Sequence, residues 1–95
     1  MSRWRMHTLK RFIRQRNRIF LSLDEGAIRQ FLMKHKMYIP ADGIPFWYMV
    51  HKTITNMNDI DPVARETSER WIHDHVGQVR NFLEDDPEPY VRVFA

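Results

Sequence analysis

Residues 44–57 read IPFWYMVHKTITNM, and whether they form a strand or a helix decides the fold class of the chain. Phe46-Trp47-Tyr48-Met49-Val50 is apolar without interruption, a pattern that fits a buried strand as well as a buried helix. Two features separate the alternatives. Pro45 suits the first turn of a helix, where its missing N–H has no intrahelical partner to lose. Trp47, Val50, Ile54 and Met57 then recur at helical spacing. The segment reads as helix, and with it the chain reads as all-α.

Working outward, the next segment carries the clearest start signal. Asp61-Pro62 places an N-cap residue before a proline at the first helical position, with Glu66 and Glu69 early in the helix. Ala64, Thr67, Trp71 and His75 form one stripe, flanked by Ile72 and Val76, and Gly77 is the expected stop. A short helical stretch is expected over 78–83. Beyond it, residues 84–95 read as an acidic, proline-containing turn and an extended C-terminal segment through Tyr90, Arg92 and Phe94.

On the other side, Ile39-Pro40-Ala41-Asp42-Gly43-Ile44-Pro45 reads as a loop within one domain. Before it, Asp24 and Glu25 open a helix near 24–38, since acids in a first turn favour the positive end of the helix dipole. Its apolar stripe is Ile28, Phe31, Leu32 and His35, with Arg29, Lys34 and Lys36 facing away. Residues 7–22 fit a further helix, with Leu9, Phe12, Ile13, Phe20 and Leu23 on one face and Lys10, Arg11, Arg14 and Arg18 on the other. Arg16 falls within the apolar face and must either snorkel to its edge or meet a carboxylate. Residues 1–6 read as a flexible basic arm.

Ninety-five residues make one small domain, and 43% hydrophobic content with three Trp and six Phe is enough for an ordinary core. The expected fold is a single compact domain of about four helices over residues 1–95, with a short C-terminal extended segment. No run of ~18 apolar residues is present to span a membrane. The absence of cysteine excludes disulfides and thiolate chemistry, and the cell interior is the expected location.

Charge is unevenly placed. Residues 1–23 hold Arg3, Arg5, Lys10, Arg11, Arg14, Arg16 and Arg18 with no acid, whereas residues 59–88 hold nine acids against three arginines. Either the two ends neutralise each other, within one chain or across a homodimer, or the basic end is a surface aimed at an anionic partner.

Enzyme-type motifs are missing. His73-Asp74-His75 would need an extended backbone to share a metal, because residues two apart on a helix point ~200° from each other. His35 and His51 sit on or beside apolar stripes and read as core histidines. There is no glycine-rich phosphate loop and no nucleophile elbow, and Ser2, Ser22 and Ser68 carry no contextual mark of a nucleophile. No catalytic residue, metal site or cofactor is expected.

The remaining signal is the basic segment. Arg3, Trp4, Arg5, Lys10, Arg11, Arg14 and Arg18, with Lys34 and Lys36, are the candidate partner- or nucleic-acid-binding residues. Arginine forks grip phosphate in a bidentate way, and Trp4 between two arginines is placed to stack. The segment at 62–76 is not a recognition helix, because Glu66, Glu69 and Asp74 would repel phosphate.

The run Trp47-Tyr48-Met49-Val50-His51-Lys52, followed by residues 61–72 from Asp61-Pro62 to Trp71-Ile72, resembles a pattern in small bacteriophage accessory proteins. The resemblance implies a protein that binds and blocks a host machine, such as a defence nuclease complex or a polymerase. Three functional expectations stand together. The first is a non-enzymatic binding protein that occludes a nucleic-acid-handling host machine. The second is direct binding of DNA or RNA by the basic helix. The third is capture of a small anionic ligand, such as a signalling nucleotide, at a subunit interface.

Overall fold

Seven of the twelve residues of the helix Ile44–Thr55 are buried: Phe46, Tyr48, Met49, Val50, His51, Thr53 and Ile54. A helix apolar on most of its circumference is stable only when surrounded, and this one lies at the centre of the domain. The computed structural model describes the backbone of residues 3–85 and the side chains of residues 8–81. Within them the order is α1 (Arg3–Leu21), α2 (Glu25–Lys34), α3 (Ile44–Thr55), α4 (Pro62–Asp74) and α5 (Val76–Asp85). No strand occurs among the described residues, and the chain is an all-α domain. Central helix α3 packs against α1, α4 and α5, and α2 packs against α1.

The core joins Phe20 of α1, Ile28, Phe31 and Leu32 of α2, the apolar residues of α3, Met57 and Val79. Phe20 meets Phe31 edge-on at 6.1 Å. Arg29 does not face away as its spacing suggests. Its guanidinium lies 4.4 Å from the Phe46 ring centroid and pairs with Glu25 and Asp42, tying α2 to the loop before α3. The weakly hydrated guanidinium lies over the face of that buried ring, where the quadrupole attracts a cation.

Both expected N-caps form. The Asp24 carboxylate accepts from the Ala27 N–H at 3.1 Å, and that of Asp61 from the Val63 N–H at 2.9 Å. Helix ends differ more from expectation. α2 stops at Lys34 rather than 38, because Lys36 turns to φ 54° and two backbone bonds close the end: Met37 N–H to Leu32 C=O and Lys36 N–H to Met33 C=O. That pairing is a Schellman cap, made here with lysine where glycine is usual.

Gly77 is not a stop either. α4 ends at Asp74, and its C-cap His75 stacks its ring on Trp71 at 4.1 Å and donates its N–H to the Trp71 and Ile72 carbonyls. Gly77 therefore lies in the first turn of α5, and the stretch expected at 78–83 is a helix over Val76–Asp85. α1 begins at Arg3, so the expected arm is helical from that residue on. The expected extended segment through Tyr90, Arg92 and Phe94 lies outside the described residues.

Candidate functional site

Arg11, Arg14 and Arg18 follow one another at intervals of three and four along α1, which places them in a row about 10 Å long on one face. α2 is held beside them by aromatic packing. Phe12 lies 5.4 Å from Phe31 and meets the His35 ring edge-on at 4.9 Å. That packing brings Lys34, the last residue of α2, to the opposite side of the row. The result is an open cleft of about 640 Å³ lined by Arg11, Arg14, Gln15, Arg18 and Lys34.

The four cations are exposed, whereas Gln15 is half-buried between them. Among the described residues, no acid lines the cleft. Among the described residues the ion pairs are Arg29 with Glu25 and Asp42, and Arg70 with Glu66, so none of them engages a cleft cation. The expectation that the acidic half folds over the basic face is not met by any described side chain. Four like charges held this close, with no described carboxylate paired to them, make a local positive potential that an anion relieves.

Four candidate residues thus come together: Arg11, Arg14, Arg18 and Lys34. Lys10 and Lys36 do not join them. Lys10 sits on the flank of α1, and Lys36 lies past the end of α2 in the left-handed turn. Arg3, Trp4 and Arg5 belong to the α1 backbone, but their side chains lie outside the described residues. Gln15 was not anticipated, since a neutral residue in a basic run carries no sequence signal of its own.

The other flank of α1 departs from its predicted apolar stripe. Phe12 and Phe20 pack inward, but Leu9 is 52% exposed and Ile13 36% exposed, and Leu23 is exposed beyond the helix end. Arg16 is half-buried with no carboxylate partner among the described residues. Its Nε and Nη2 donate to the Asn17 side-chain oxygen at 3.2 and 3.0 Å, and burial lowers its pKa from the ordinary value.

Elsewhere the polar groups are structural in placement. His51 Nδ1 and Ser68 Oγ share a 2.9 Å hydrogen bond across α3 and α4. With His51 6% and Ser68 2% exposed, a substrate cannot reach the pair. His51 stacks on Trp71 at 4.8 Å, and Trp71 in turn stacks on His75. Desolvation, helped by His75, lowers the His51 pKa to about 4. His73 is exposed while His75 packs against Trp71, so the two point apart as helical spacing requires. Among the described residues, no three His, Asp or Glu side chains come together as a metal-holding group, and no helix is long and apolar enough to cross a membrane. Comparison with protein-family models, with curated proteins and with solved structures finds no match, so function must be argued from these residues alone.

Proposed function

We propose that this chain is a non-enzymatic binding protein whose basic cleft takes the phosphate backbone of a nucleic acid. The observation that carries the proposal is the convergence of Arg11, Arg14, Arg18 and Lys34 on one open cleft that no acid lines among the described residues. Three comparisons favour nucleic acid over other anions. Protein interfaces concentrate aromatic and apolar anchors at their centre, and the described lining of this cleft holds none. Interfaces with DNA are polar and strongly positive. A membrane-surface helix needs a continuous apolar side free to enter the acyl boundary, but on α1 Phe12, Ile19 and Phe20 pack into the core and interrupt that side, although Leu9 and Ile13 stay exposed.

The experiment is a fluorescence-anisotropy titration of labelled DNA and RNA with the wild type and with Arg11→Glu/Arg14→Glu/Arg18→Glu. All three positions are exposed, so the variant is expected to keep its helical circular dichroism while losing binding. Equal binding by a folded variant would refute the proposal.

A second reading has its own observation. Leu9 and Ile13, one turn apart and exposed, lie beside Arg16, which lacks a carboxylate among the described residues. Such a flank suits a protein contact and supports occlusion of a nucleic-acid-handling machine, with the cleft supplying charge complementarity and a fast on-rate. In that case the same triple variant slows association with the partner protein.

A further inference from the structure

Resting on the nucleic-acid reading, we infer that α1 and α2 form a two-walled clamp that grips one phosphodiester strand by its backbone alone, without reading base sequence. Three features of the cleft lead there.

The first is the placement of its charges. Arg11, Arg14 and Arg18 form one wall on α1, and Lys34 stands across from them at the end of α2. A helix that reads bases projects its side chains into a major groove about 12 Å wide. Here the cations face into a cleft that a second helix bounds, so the ligand enters the protein rather than the reverse.

The second is size. A cleft of about 640 Å³ is in the range that holds a drug-sized molecule. It accommodates a short length of one strand. The arginine row of about 10 Å suits two or three successive phosphates.

The third is chemistry. The described lining offers guanidinium, ammonium and one amide, with no aromatic ring among the described residues. Sequence-tolerant strand binders often stack bases on aromatic side chains, and base-edge readers pair an amide or an acid with a particular base. With neither device dominating, the contacts available are to phosphate oxygens, and those position a strand without specifying its sequence. Lys34 is the residue that turns a basic helix face into a clamp. It reaches this position because α2 ends at Lys34 and is anchored by Phe31 and His35 on Phe12.

The test uses the full chain, single-stranded oligonucleotides of equal length and differing sequence, and the variants Lys34→Gln and Lys36→Gln. Both lysines are exposed, and Lys36 lies two residues further on, outside the cleft. Affinity is measured by anisotropy from ~50 to ~200 mM salt. The expected results are affinities for the different sequences within about threefold, and a plot of log K against log salt that is shallower by about 0.7 for Lys34→Gln but little changed for Lys36→Gln. A sequence preferred by more than about tenfold, an unchanged slope in Lys34→Gln, or equal effects of the two lysines would overturn the clamp while leaving nucleic-acid binding intact. Absence of binding by the wild type would overturn both.

Discussion

His51 gives the sharpest stability prediction. It is buried between α3 and α4, bonded to Ser68 at 2.9 Å and stacked on Trp71 at 4.8 Å. Desolvation first, and then the charge of His75 on the far side of Trp71, hold its folded-state pKa at about 4 against an ordinary 6.5. Above pH 6.5 the ring is neutral in both states and costs nothing. As pH falls below 6.5, the unfolded chain takes up a proton that the folded chain refuses until about pH 4. The unfolded state then binds more protons, so stability falls with falling pH throughout that window. At 1.36 kcal/mol per pKa unit, the loss reaches about 3 kcal/mol at the acid end of the window.

The assay is urea unfolding followed by tryptophan fluorescence at a series of pH values, for the wild type and for His51→Gln. The substitution is expected to cost stability at every pH through lost packing, so the quantity to compare is the pH dependence. The wild-type curve should fall by about 3 kcal/mol more than the variant curve between pH ~7.5 and ~4. Parallel curves would show that burial does not suppress the charge on His51, and the packing of α4 on α3 would need another explanation.

Two further predictions concern how the helices are placed. Gly43 precedes α3 at φ 87° and ψ −133°, and a Cβ added there would meet no atom within 4 Å. Gly43→Ala should therefore cost about 1–3 kcal/mol, all of it backbone strain, and thermal unfolding would show the drop. Asp61→Ala removes the carboxylate that accepts the Val63 N–H at 2.9 Å. It should cost about 1 kcal/mol by urea unfolding, and Asp61→Asn or Asp61→Ser should recover most of the loss.

Much of this architecture is legible in the sequence because local signals and the fold agree. Pro45 and the spacing of Trp47, Val50 and Ile54 give α3, and an aspartate before each helical pattern gives the N-caps of α2 and α4. Ile28, Phe31 and Leu32 are buried as their stripe requires. What is not legible depends on tertiary placement or on conformations that residue type does not announce. The end of α2 is set by Lys36 in the left-handed region, where a stop is normally signalled by glycine. The end of α4 is set by the stacking of His75 on Trp71, which overrides Gly77. His51 and Ser68 lie 17 residues apart and meet only because α4 packs on α3.

For the site, the α1 arginines stand out as a run without acids, but the run does not show which lysine joins them. Lys34 and Lys36 look alike in sequence. Only the position of the α2 terminus brings the first to the cleft and carries the second past it. Likewise, the stripe through Leu9 and Ile13 has helical periodicity, but periodicity does not say which of its positions are covered.

The most direct measurement is the affinity of the wild-type chain for a labelled single-stranded oligonucleotide at ~50 and ~200 mM salt. Two or three phosphates neutralised by the cleft cations give a slope of about −1.4 to −2.1 in log K against log salt, or roughly a seven- to twentyfold loss across that interval. Saturable binding at the lower salt, weakened at least that steeply, is the predicted result. No binding at ~50 mM, or binding that salt leaves unmoved, would contradict the assignment of the Arg11–Arg14–Arg18–Lys34 cleft as a site for the phosphate backbone.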